Sequence, residues 1–241
     1  MMGMNKQEIR DNERRVLVVN AMVDVGLADS FDLAIERPLK KAGVHYELRR
    51  LLDCRRLEEE VPFTHLIISG SEASVMEERP EDELLRKIVL DFVEREKRVL
   101  GICYGHQFLA ANLYRKDCCR KSTTPEFGWV DIQTQKNALF GEMGNPYCMV
   151  SHYDEVFDLG DRFDVMASTE RCAIHGFQYG NLPVWGVQFH PEYNDLEAEE
   201  IFTLQKKQDP AVADYFLGKE KDPTPGDLSK NETIIANFCR I

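Results

Sequence analysis

Gly101-Ile102-Cys103-Tyr104-Gly105-His106-Gln107 decides how this chain is read. It follows an apolar run, Val99-Leu100-Gly101-Ile102, that predicts a strand, and precedes Phe108-Leu109-Ala110-Ala111, which predicts a helix. A side chain at such a strand-to-helix turn is held in a cramped backbone. Glycines two residues before and two after it relieve the crowding, which is the pattern of a nucleophile elbow with cysteine in place of serine. The turn presents the sulfur at the sheet edge, beside a helix N-terminus whose orphan N–H groups and dipole favour a thiolate. Cys103 is therefore expected to act as a nucleophile.

Working outward, Arg15–Asn20 predicts a buried strand, and apolar residues from Leu27 to Ala42 predict a helix. Pro38 is expected to kink or break that helix, and Gly43 to end it. Residues 44–51 and Thr64–Gly70 read as two further strands, and Glu81–Glu96 as an amphipathic helix with acids in its first turn. Strands alternating with helices imply right-handed βαβ units around an open, mostly parallel sheet with helices on both faces. From Lys121 to His190 the pattern changes to short β-like pieces: Met149-Val150, Glu155–Phe157, Val165–Ala167, Ala173-Ile174 and Val184–Phe189. Gln178–Asn181 suggests a hairpin turn there. This half is expected to be antiparallel, covering or extending the parallel sheet.

Asp195–Lys207 returns to helical spacing, and the remainder predicts a short helix, a loop and a terminal helix capped by Ser229 and Glu232. Residues 1–14 are expected to form a loose N-terminal arm. Residues 15–207 make an α/β domain, and 208–241 a helical tail packed on it or extending it. No linker of Pro, Gly and Ser divides them.

Composition narrows the function. With 43% hydrophobic and 30% charged residues a packed core is feasible. A net charge of −12 opposes nucleic acid and anionic membranes. No apolar run reaches the length of a membrane-spanning helix, and the polar start is no secretory leader. Seven cysteines, an odd number with no zinc-ligand spacing among them, suggest structural thiols in a reduced, cytoplasmic setting. The adjacent pair Cys118-Cys119 is a less economical candidate for a redox or metal device. No cofactor and no metal is expected.

A cysteine nucleophile needs a base, and the base an orienter. Gln188-Phe189-His190-Pro191-Glu192 supplies both. His190 falls where an apolar strand ends, the usual place for reactive groups in an α/β sheet. Pro191 holds the backbone extended, so Glu192 faces the same side as His190. Glu192 then reaches one imidazole nitrogen while the other faces Cys103. His106, the rival base, is better read as a packed helix residue.

Taken together, Gly-Ile-Cys-Tyr-Gly-His-Gln and Gly-Val-Gln-Phe-His-Pro-Glu resemble the class I glutamine amidotransferases, in particular the glutaminase part of GMP synthase and its stand-alone relatives. The resemblance spans residues 15–207. It implies a flavodoxin-like fold and hydrolysis of the glutamine side-chain amide through a γ-glutamyl thioester on Cys103, with His190 and Glu192 completing the triad. It implies an oxyanion hole from the backbone N–H of Tyr104 and from Gly70 or Ser71 in the loop Ser69-Gly70-Ser71-Glu72. That loop departs from the family's Gly-Gly-Pro, since Ser71-Glu72 stands in place of Gly-Pro. The resemblance further assigns substrate contacts to Gln107 and, in Ser151–Val156, to Tyr153 and Asp154, with His152 structural. It matches Gly128-Trp129 to a family loop with either a packing or a pocket role.

A family member passes ammonia to a synthetase, for which this chain offers neither room nor a nucleotide-binding fingerprint. Three readings follow. The first is a glutamine-hydrolysing enzyme with an unidentified acceptor, whose partner would be an ATP-dependent synthetase subunit. The second is a γ-glutamyl peptidase acting on another γ-glutamyl amide, and Tyr193 after His-Pro-Glu recurs in some such enzymes. The third is a non-catalytic interaction or regulatory module, which has no need of all three triad groups.

Overall fold

A computed structural model describes residues 14–53, 63–218 and 221–241, so the expected N-terminal arm, Arg14 apart, lies outside the described residues. The first half alternates as expected: β1 (Arg15–Asn20), α1 (Val25–Ala42), β2 (His45–Arg50), β3 (His65–Ile68), α2 (Pro80–Glu94), β4 (Arg98–Ile102) and α3 (Tyr104–Leu113). The second half comprises β5 (Cys119–Asp131), β6 (Gln133–Thr134), β7 (Tyr147–Val156), β8 (Phe163–Ser168), β9 (Gly176–Tyr179) and β10 (Val184–Val187). It closes with α4 (Asp195–Gln208), β11 (Phe216–Leu217) and α5 (Pro225–Arg240).

The main sheet runs β2-β1-β3-β4-β10-β9-β8-β6, and β5 is flanked by β11 and β7 in a smaller sheet. The five strands from β2 to β10 are parallel, and β9, β8 and β6 extend them antiparallel. The central strands are apolar on both faces because helices cover both. One core holds α1, α4 and α5, with Phe31, Ile35, Phe202 and Phe238 fully or nearly fully buried. The other holds α2 and α3, with Leu85, Phe92, Phe108 and Leu109.

Four local expectations are corrected. α1 continues through Pro38, because Ala34, Ile35 and Leu39 around it are fully buried, and their packing outweighs the roughly 3 kcal/mol that an internal proline costs. Met149-Val150 and Glu155-Val156 belong to one strand, β7, whose partner β5 has a bulge between Lys121 and Glu126. Ala173-Ile174 is loop rather than strand. The terminal helix starts one turn earlier than Ser229, with Thr224 and Asp227 forming its capping box. Glu232 instead pairs with Arg37 and Lys41 of α1, which ties the tail to the parallel sheet's helical layer.

Candidate active site

β4 delivers Cys103 to the first turn of α3 with φ 49° and ψ −100°, a left-handed backbone that a cysteine adopts only under constraint. The constraint is visible in the flanking glycines. A Cβ on Gly101 would lie 2.4 Å from the backbone of Gly105, and one on Gly105 would lie 2.6 Å from the Ile68 carbonyl oxygen. No other residue type fits either position without moving β3 or α3. The Gly105 N–H donates to the Ser69 carbonyl and the Gln107 N–H to the Cys103 carbonyl, which lock the turn.

β10 leads to Gln188 and Phe189, and the His190 N–H then donates to the Met149 carbonyl. That bond fixes the strand end of the main sheet to β7. The His190 Nδ1 lies 2.8 Å from Glu192 Oε1, and both side chains are buried. Burial opposes the charged imidazole, but the charges of Glu192 and Cys103 win and raise its pKa to about 10. The Glu192 carbonyl in turn accepts from the Arg37 guanidinium. The ring of Tyr193 packs 5.4 Å from that of His190.

Gly70 sits beside both Cys103 and His190. A Cβ there would meet His190 Cε1 at 3.0 Å and Cys103 Cβ at 3.5 Å. The serine and acid that replace Gly-Pro tie this loop down. Ser71 Oγ donates to the Ala21 carbonyl, and Glu72 Oε1 accepts the N–H groups of Val23 and Asp24 ahead of α1. The Tyr104 side chain points away from the cleft, donating to Asp82 and accepting from Arg79. Its backbone N–H belongs to the first turn of α3, where N–H groups lack partners within the helix.

Cys103 and His190 open into a cavity of about 290 Å³, also lined by Ser71, Gln107, Tyr153, Asp154 and Gln205. The Gln107 amide donates to the Asp154 carbonyl at 2.9 Å and to Gln188 Oε1 at 3.0 Å. Asp154 accepts from Ser74 and pairs with Lys121, while the Tyr153 hydroxyl donates to Asp209. Sequence reasoning gave Gln188 no role, yet its amide donates to Cys103 Sγ at 3.4 Å. Its place in the Gln-Phe-His-Pro-Glu run was the available signal. His106 is fully buried against Phe177, and burial lowers its pKa to about 3, so it is a neutral packed ring. Trp129 stacks on Tyr147 outside the cavity, so Gly128-Trp129 serves packing.

With this geometry in hand, comparison with known proteins is specific. The class I glutamine amidotransferase family model matches residues 21–205. The chain is 31% identical over 170 residues to the glutamine-hydrolysing GMP synthase subunit of Thermoplasma volcanium, covering 69% of this chain and 80% of that protein. It is 35% identical over 130 residues to the glutamine-hydrolysing GMP synthase of Phocaeicola vulgatus, covering 53% of this chain but 24% of that longer protein. The fold matches a crystal structure of a Thermotoga maritima glutamine amidotransferase with a TM-score of 0.74 at 19% identity, covering 94% of this chain and 96% of that one. It matches a putative GMP synthase subunit of Thermoplasma acidophilum at 0.62 and 22% identity, covering 83% and 98%.

Proposed function

This chain belongs to the class I glutamine amidotransferase family, and from that premise we propose that it hydrolyses the side-chain amide of glutamine to glutamate and ammonia. The observation that carries the proposal is the buried Glu192–His190 pair facing Cys103 across Gly70. The unit that performs the chemistry is residues 15–207, with 208–241 packed on it.

Cys103 Sγ attacks the amide carbon. The resulting oxyanion is met by the Tyr104 N–H and by the N–H of Gly70 or Ser71. His190 takes the thiol proton and delivers it to nitrogen as the C–N bond breaks, releasing ammonia and leaving a γ-glutamyl thioester. A water then gives a proton to His190 and attacks the thioester carbon, and the proton returns to sulfur as the C–S bond breaks. Glu192 keeps Nδ1 protonated and supports the imidazolium throughout. Gln107 helps to hold the substrate, and Tyr153 and Asp154 hold its amino-acid end.

The relatives named as separate glutamine-hydrolysing subunits of GMP synthase support a complex in which an ATP-dependent synthetase subunit consumes the ammonia. The test is to incubate the chain with glutamine and, separately, with γ-glutamyl dipeptides, and to measure glutamate and ammonia. Glutamine turnover supports the proposal. Turnover of the dipeptides alone overturns it in favour of a γ-glutamyl peptidase. No turnover, with no labelling of Cys103 by a glutamine-like electrophile, makes the chain a non-catalytic module.

A further inference from the structure

At the wall of the cavity, which His152 helps to line, lies a second cluster of titratable side chains that amide hydrolysis does not use. Glu126 of β5 and His152 of β7 are directly paired across the smaller sheet. Cys172 and His175 approach them from the loop between β8 and β9, spaced Cys-Ala-Ile-His. One ligand atom from each of the four lies within 4.8 Å of all the others, and all four residues are buried.

Two details of bonding point to a cation. The His152 Nδ1 lies 3.0 Å from the Asp154 carbonyl oxygen, which only accepts, so Nδ1 carries a hydrogen. Its Nε2 faces Glu126 Oε2 at 3.1 Å, an approach that takes either a proton or a metal cation between them. His175 brings Nε2 to the same oxygen at 2.7 Å, while its buried Nδ1 has no hydrogen-bond partner among the described residues. A histidine that donates one nitrogen to a carbonyl and turns the other to a shared point has the usual outer support of a metal ligand. Thr169 Oγ1 gives Glu126 the same kind of support, donating to Oε1 at 2.8 Å.

We propose that Glu126, His152, Cys172 and His175 bind one zinc ion. Zinc takes imidazole, thiolate and carboxylate at about 2.0–2.3 Å in a tetrahedron, which sets ligand atoms roughly 3.3–3.8 Å apart. The present cluster reaches that by side-chain shifts of under about 1 Å. Binding displaces the Cys172 thiol proton and any proton shared by His152 and Glu126, both to solvent. One thiolate, one carboxylate and two neutral imidazoles then balance the dication, so the buried site is neutral.

The ion joins β5 and β7 to the segment that enters β9. It also stands at the head of a hydrogen-bond chain. His152 donates to the Asp154 carbonyl, Gln107 donates to that same carbonyl and to Gln188, and Gln188 donates to Cys103 Sγ. The zinc is thus a structural ion that sets the wall opposite His190.

The experiment uses the full chain, expressed with zinc and freed of any affinity tag. Metal is counted by mass spectrometry, and cobalt is then exchanged in. We expect one zinc per chain and an intense thiolate-to-cobalt absorption band. Cys172→Ser should abolish that band, and Thr169→Ala should weaken zinc binding about 10- to 100-fold. A chelator should lower the melting temperature of the wild-type chain, and zinc should restore it. A folded wild-type chain that takes up no zinc, or takes up cobalt with no thiolate band, overturns the proposal in favour of a proton-bridged Glu–His cluster. The wild-type band is decisive even if Cys172→Ser does not fold, and none of these readouts depends on glutamine turnover.

Discussion

Glu192→Gln isolates charge from orientation at His190, the proposed base. Glu192 is fully buried, with Oε1 2.8 Å from His190 Nδ1 and Oε2 without a partner among the described residues. A glutamine carbonyl placed at Oε1 still accepts from Nδ1, so the ring keeps its tautomer. What disappears is the negative charge beside a buried imidazolium. Two unit charges about 4 Å apart interact by about 4 kcal/mol at an effective dielectric of about 20, and a charge-assisted hydrogen bond is worth about 1.5–3 kcal/mol. A loss of about 2–4 kcal/mol predicts a kcat lowered about 30- to 1,000-fold.

The same loss acts on the pH profile. Glu192 and Cys103 hold the His190 pKa up at about 10 against burial. Removing the carboxylate lowers that value by about 1.5–3, so the alkaline limb of kcat/KM moves down to about pH 7–8.5. Glutamate release across pH 5–11 measures both effects, and circular dichroism checks that the variant is folded. A folded variant with wild-type kcat and an unmoved alkaline limb would refute the role of Glu192.

Cys103→Ala should release no glutamate while its melting temperature stays near that of the wild type, and Cys103→Gly should be more stable by about 1–3 kcal/mol because it relieves the positive φ. Gly105→Ala drives a Cβ to 2.6 Å from the Ile68 carbonyl, and should lower stability by about 2 kcal/mol or more in urea titration. Glu72→Ala leaves two N–H groups ahead of α1 without their acceptor and should lower kcat several-fold, with Glu72→Gln retaining most of it. Burial, aided by Arg98 and Arg14, lowers the His65 pKa to about 3, and burial does the same to His106. Each ring is neutral when folded but protonates near pH 6.5 when unfolded, so the unfolded chain binds more protons between those values. The stability each contributes is therefore complete above about pH 6.5 and falls by about 2 kcal/mol by pH 5. His65→Phe should make the measured drop between pH 7.5 and pH 5 shallower by about that amount, and an unchanged drop would reject the reasoning.

The parallel half was legible because its signals are local. Val16–Val19 and Leu66–Ile68 are apolar without alternation, as strands covered on both faces must be, and every one of these residues is fully buried. β5 was missed for the opposite reason. Its first half is Arg120-Lys121-Ser122-Thr123-Thr124-Pro125, polar and containing a proline, and it is held as a strand by pairing with β7 across a bulge. Nothing within the segment announces that partner. At the end of the chain only Ser229 with Glu232 was read as a box, although Thr224 and Asp227 stand at the same spacing. What separates them is Arg37, remote in sequence, which draws Glu232 out to the face of α1.

The candidate site divides along the same line. Cys103 announces itself through the steric needs of its neighbours, and His190 and Glu192 through a proline that fixes which way they face. Gln188 carries no such mark, because its contact with Cys103 exists only where β10 lies beside β4. The buried cluster at the wall is hidden more deeply. Counting cysteines against cysteines finds no ligand spacing, although Cys172 and His175 stand three residues apart. Glu126 and His152 meet only through the β5–β7 register, where a slip of one residue would turn His152 to the other face and detach the Asp154 carbonyl from Gln107. The register of a strand that the sequence hides therefore governs the wall facing the one residue it displays most plainly.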